Sequence, residues 1–257
     1  MLLKDKNIII AGGTSGIGLA AVNYFIEQGA NVVSIGKTGD ENLPHANTQL
    51  QWLFGDLRKE ETIQQAIKIC IDHYKTIDGL LHVAGGSGRT FGDGPLHELT
   101  DEGWEKTLQL NATSTMLTNK AIINVMMHQD HAGSIVNISS VLASHPSPHY
   151  FTTHAYAAAK AAIIGLSKST AAYYADKNIR INVISPGLVD TQMSSRAKSN
   201  NAIMQFIQTK QPLDGGRISH PNDIVGMAAF LLSDQARFIT GQEILIDGGW
   251  SISDGQF

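Results

Sequence analysis

A chain of 257 residues, 42% hydrophobic and 16% charged, can bury a sizeable core, as one large α/β domain or two small ones. Its net charge of −4 and its lack of any Lys/Arg block argue against nucleic-acid binding, and its longest apolar runs fall far short of a membrane span. The single cysteine, Cys70, excludes an internal disulfide and does not suggest secretion. The opening Met1-Leu2-Leu3-Lys4 lacks the charged, apolar and cleavage regions of a signal peptide, so the expectation is a soluble cytoplasmic protein.

In chain order, strands are predicted at 7–11, 31–35, 50–54, 79–83, 134–138, 179–184 and 243–246. Several are near-continuous apolar runs, such as Asn7-Ile8-Ile9-Ile10-Ala11, as expected for parallel strands covered on both faces. Helical patterns lie between them. Ile17, Ala20, Ala21, Tyr24 and Phe25 form the first stripe. Further helices are predicted at 60–73, 101–127, 156–176 and 222–232. Cys70 falls on the stripe of Ile63, Ala66, Ile67 and Ile71, which reads as a small buried hydrophobe. The alternation predicts a single-domain α/β fold over 1–257: a doubly wound, Rossmann-like sheet of about seven parallel strands with helices on both faces. The irregular stretches are 85–95, 144–153 and 191–216, the last read as a mobile substrate lid.

The first strand runs into Gly12-Gly13-Thr14-Ser15-Gly16-Ile17-Gly18, where a helix begins. Glycines there allow a tight turn and close backbone approach, and a helix N-terminus offers free amides to a pyrophosphate. The spacing is not G-x-G-x-x-G, whose third glycine would stand at Ala21. The predicted dinucleotide contacts here are Gly12, Ser15, Gly16, Ile17 and Gly18.

The second strand ends in Ser34-Ile35-Gly36-Lys37-Thr38, and no acidic residue follows before Asp40. An acid there suits the ribose of NAD and a base suits the 2′-phosphate of NADP. Lys37 therefore favours NADP(H), with NAD(H) and a merely solvated Lys37 as the alternatives. Asp56, followed by Leu57, could accept from the adenine amino group or cap the next helix.

Tyr156 and Lys160 are spaced to share one face of a helix, and a lysine cation beside a phenol lowers its pKa. Tyr173 and Lys177 repeat that spacing, but at the helix end far from the carboxyl edge of the strands.

Taken together, the glycine loop, Tyr156 and Lys160 resemble the short-chain dehydrogenase/reductase family over nearly the whole chain. Val136-Asn137-Ile138-Ser139-Ser140 resembles its active-site serine segment, with Ser140 at the family position. Leu110-Asn111-Ala112 matches its helix asparagine. The run Ser185-Pro186-Gly187-Leu188-Val189-Asp190-Thr191 looks like its nicotinamide-side loop, and Ile239-Thr240-Gly241-Gln242 and Asp247-Gly248-Gly249 look typical of it. The resemblance adds cofactor contacts at Leu57, Ala84, Gly85, Gly86, Pro186, Gly187, Val189 and Thr191, besides Tyr156 and Lys160. It also implies a homotetramer.

The chain departs from the family with His82-Val83-Ala84-Gly85 where Asn-Asn-Ala-Gly is common, a change that bears on packing. The stretch from Ser140 to Tyr156 is also longer than usual.

The resemblance implies hydride transfer between a nicotinamide cofactor and a carbonyl compound or secondary alcohol. Tyr156 would be the general acid/base and Ser140 the stabiliser of the substrate oxygen. Lys160 would tune Tyr156 and hold the ribose, and Asn111 would hold a relay water. The other reading is a nucleotide-binding regulatory or structural protein of the same fold. Residues 144–153 and 193–213, with Met204 and Phe206, would line the substrate pocket. His145, His149 and His154 lack metal-ligand spacing, so no metal is expected.

Overall fold

Seven strands form one parallel sheet in the order β3-β2-β1-β4-β5-β6-β7. They are β1 Asn7–Ala11, β2 Asn31–Gly36, β3 Leu50–Phe54, β4 Gly79–His82, β5 Gly133–Ile138, β6 Ile179–Pro186 and β7 Glu243–Ile246. This computed structural model describes residues 1–39 and 43–255; Asp40 lies outside the described residues. The order reverses between β1 and β4, and the crevice beyond their carboxyl ends is where such sheets bind ligands.

Both faces of β1 are apolar, and successive side chains enter different cores. Ile8 and Ile10 pack with Phe25 of α1 (Gly16–Glu27) and with Ile224 and Leu231 of α8 (Pro221–Leu232). Ile9 and Ala11 pack with Ile63 and Ile67 of α2 (Glu60–Tyr74) and with Ile122 and Met126 of α4 (Ser114–Met126). Cys70 lies in this second core, where burial pushes its thiol up to about 12. Some polar groups of the interior pair with one another. Asn119 and Asn137 exchange two hydrogen bonds of 2.9 Å, and Asn137 also donates to Ser167 Oγ at 3.0 Å.

Two elements differ from expectation. The long central helix is interrupted: α3 Asp101–Leu108 passes through a π-helical turn, Gln109–Thr113, into α4. The wide turn carries Asn111, whose side chain leaves solvent entirely. The stretch 191–216 is not mainly irregular, because it contains α6 Ser195–Lys198 and α7 Asn201–Lys210. Asn200 caps α7 by accepting from the amides of Ala202 and Ile203. Only Ile203 and Ile207 of α7 are buried, so its apolar signal is thin. They join Val141, Ala197 and Trp250 in a separate apolar cluster.

Candidate active site

α5 (His154–Tyr174) starts beside the carboxyl end of β5. Two bonds fix that docking: Lys160 Nζ donates to the Ile138 carbonyl at 2.9 Å, and Ser139 Oγ donates to the Lys160 carbonyl at 2.8 Å. Ser139 is thereby occupied with structure. Ser140 Oγ accepts from the Leu142 amide at 3.2 Å, which leaves its own proton free for the neighbouring Tyr156 hydroxyl.

Lys160 is 3% exposed, with Nζ 5.6 Å from the Tyr156 ring centre. Burial disfavours its charge and lowers its pKa to about 8. The expected lowering of the Tyr156 pKa is not found. Burial raises it, with the Ser140 hydrogen bond pulling the other way. The physical reason is that the lysine nitrogen is turned toward the Ile138 carbonyl and the ring, not bonded to the phenol oxygen.

Asn111 Nδ2 donates to the carbonyls of Gly86 and Thr107, each at 2.9 Å, while Oδ1 accepts from the Gly86 amide at 3.1 Å. A Cβ added to Gly85 would stand 2.5 Å from Asn111 Oδ1 and 3.2 Å from Lys160 Nζ. Glycine is thus what lets the loop pass between these two side chains. Ser140, Tyr156, Lys160 and Asn111 accordingly form one constellation.

His82, where the family commonly has asparagine, is buried with Nδ1 3.2 Å from Thr115 Oγ1 of α4. Burial first, and the charge of Lys160 second, lower its pKa to about 3, so it is neutral. Its role in packing agrees with the expectation. Tyr173 is 76% exposed, and Lys177 lies past the end of α5, 3.1 Å from Asp176. That second pair does not share a helix face. No group of three or more His, Cys, Asp or Glu is placed to hold a metal ion among the described residues.

The glycine loop is shaped for close approach. A Cβ on Gly18 would lie 1.9 Å from the Gly12 carbonyl oxygen, and one on Gly12 would lie 2.6 Å from the Ala84 nitrogen. Gly12 also has φ of +96°, a conformation that glycine alone adopts readily. Ser15, at the N-cap of α1, makes no side-chain cap, and no acid stands in the first turn. The amides of this helix start are therefore available to an anion.

Thr191 lies over Gly16, and Val189 pairs with Ser219 as Pro186 and Gly187 leave β6. Leu57 is buried in one core, and Ile17 packs partly buried against the other.

Lys37 is exposed at the end of β2. Asp56 does not cap α2, which begins after Lys59. Its carboxylate instead receives Arg58 Nε at 2.9 Å and Nη2 at 2.5 Å. This side-chain bond is the main reason its pKa falls to about 2, with Lys37 adding a smaller pull. Arg58 thus adds a second cation, beside Lys37, near Asp56. Sequence reasoning missed it, although its place two residues after Asp56 was a usable signal.

A family model described as "Enoyl-(Acyl carrier protein) reductase" matches residues 11–251. The 3-oxoacyl-[acyl-carrier-protein] reductase FabG of Chlamydia trachomatis is 34% identical over 255 residues, covering 96% of this chain and 98% of that protein. The chain belongs to the short-chain dehydrogenase/reductase family. A short-chain dehydrogenase/reductase structure from Mycobacterium ulcerans superposes with a TM-score of 0.87 at 28% identity, over 98% of this chain and 92% of that one. A 4-hydroxyisoleucine dehydrogenase complexed with NADH gives a TM-score of 0.83 at 33% identity, over 96% and 98%.

This family member is an NAD(P)-dependent oxidoreductase acting on small molecules. Its own residues fit a dinucleotide: a tightly packed glycine turn at Gly12 and Gly18 leads to a helix start with no cap of its own. Among the described residues no helix is long and apolar enough to cross a membrane.

Proposed function

We propose that the enzyme moves hydride between NADP(H) and a small or medium carbonyl compound or secondary alcohol, with Tyr156 as general acid/base. The observation that carries this reading is the convergence of Ser140, Tyr156, Lys160 and Asn111 beside Gly85, at the ligand edge of the sheet. The dinucleotide, when bound, supplies or accepts the hydride. Gly12, Ser15, Gly16, Ile17 and Gly18 would hold its pyrophosphate. Ala84, Gly85, Gly86, Pro186, Gly187, Val189 and Thr191 would flank its nicotinamide end.

In the reducing direction Ser140 donates a hydrogen bond to the substrate oxygen, and Tyr156 delivers the proton to it. Buried Lys160, with a pKa near 8, keeps a positive charge at neutral pH beside the phenol and would also hold the ribose. Asn111 would hold a water that returns a proton through Lys160. The residues 144–153 and the 191–216 segment would form the substrate walls, the latter as a movable lid. A homotetramer in the cytoplasm is the proposed setting. Half-exposed Trp104 and Met116 on the long central helix, and Leu245 on edge strand β7, support an assembly.

Lys37 and Arg58 at the adenosine end support NADP(H) over NAD(H). The test is a panel of 3-oxoacyl thioesters, ketones, aldehydes and alcohols with both cofactors, followed by nicotinamide absorbance. The expected outcome is turnover of at least one substrate with a preference for the phosphorylated cofactor. Lys37→Asp should reduce that preference about tenfold, the size of one charge-assisted contact. Turnover of none, or a preference untouched by Lys37→Asp, contradicts the reading. Turnover of none would favour the regulatory or structural alternative.

A further inference from the structure

The first turn of α5 has a capping problem. Its N-cap residue, Thr153, makes no side-chain cap, so the leading amides need a partner from elsewhere. The partner comes from the loop after β4. Asp93, 5% exposed, accepts the Ala155 amide on Oδ1 at 3.0 Å and the Tyr156 amide on Oδ2 at 2.9 Å. Both carboxylate oxygens are thus spent on the backbone that carries the tyrosine.

The loop is built to turn Asp93 inward. Gly88 and Gly92 have φ of +71° and +100°, and the Asp93 amide donates to the Gly88 carbonyl at 3.2 Å. A Cβ on Gly88 would lie 2.0 Å from Thr107 Oγ1 and 3.0 Å from Asp93 Cβ. The same loop also grips Asn111 through both backbone groups of Gly86. One loop therefore holds two of the four residues of the constellation.

We propose that Asp93 is a positioning residue for the proton-transfer step: its carboxylate clamps the start of α5 and so fixes where the Tyr156 oxygen stands relative to Ser140. The proposal rests on the reading of Tyr156 as acid/base. A carboxylate at a helix start is favoured by the helix dipole, and a cap of this kind normally serves stability alone. Here the clamped amide belongs to the reacting residue itself. Small displacements of a reacting group can cost about a hundredfold in rate.

The experiment compares Asp93→Ala and Asp93→Asn with the wild type, each as the full chain. It measures kcat and KM on a substrate the wild type turns over, NADPH affinity by fluorescence titration, and amide exchange at Ala155 and Tyr156. Asp93→Ala should lower kcat by about a hundredfold, leave KM and NADPH affinity within about threefold, and speed exchange at both amides. Asp93→Asn keeps one acceptor oxygen and should recover part of kcat and part of the protection. If Asp93→Ala does not fold, the same comparison is read from Asp93→Asn. Faster exchange with kcat within twofold of wild type makes Asp93 a helix cap and overturns the proposal, as does unchanged exchange. If Tyr156→Phe proves fully active, the acid/base reading falls; the exchange data still report whether the clamp exists.

Discussion

Burial of Lys160 makes its charge costly. Its pKa falls from 10.5 to about 8 because the charged form is buried. The unfolded chain therefore binds more protons than the folded one between about pH 8 and 10.5, and stability from this residue rises with pH across that window. The difference amounts to about 3 kcal/mol at 1.36 kcal/mol per pKa unit. Lys160→Met removes the titration. Urea unfolding of both proteins should show wild type gaining on the variant as pH rises from about 7 to 10, and a constant difference would refute the assignment. At this scale the sequence was informative about identity and silent about surroundings. The spacing of Tyr156 and Lys160 and the run Ser139-Ser140 were readable. The turn of Lys160 Nζ toward Ile138, the pairing of Arg58 with Asp56, and the reach of Asp93 to a helix 62 to 63 residues away depend on tertiary contacts.

Among the elements, strands were the most legible because both faces of the sheet are covered, so β1 and β2 read as apolar runs. The π-helical turn at Asn111 was not. It leaves the apolar spacing of the central helix nearly intact, and it coincides with the Asn111 bonds to Gly86 and Thr107. Helix α7 was hidden for a different reason, since two buried isoleucines do not make a periodic stripe. What holds it is Trp250, 1% exposed, which meets the Phe206 ring edge-on at 5.9 Å and the Phe151 ring at 5.5 Å. Its indole N–H donates to the His145 carbonyl at 2.9 Å. This one side chain joins the C-terminal segment, α7 and the loop before Tyr156. Trp250→Ala should cost about 3–5 kcal/mol, measured as a lower urea midpoint. Limited proteolysis should then cut faster within 191–216. An unchanged midpoint would show that the cluster is not a support.

In the whole molecule, a parallel sheet whose order reverses between β1 and β4 brings the glycine loop, the β4 loop and the start of α5 to one edge. That convergence turns scattered motifs into a site. In the proposed function Tyr156 moves the proton while the rest of the site holds substrate and cofactor. It is tested most directly by Tyr156→Phe, which keeps the ring and removes only the hydroxyl. Turnover and NADPH binding should be measured on the same preparation. The expected result is a fall in kcat of about a thousandfold, within the range for losing a general acid, with NADPH affinity unchanged. Retention of wild-type kcat together with intact NADPH binding would contradict it.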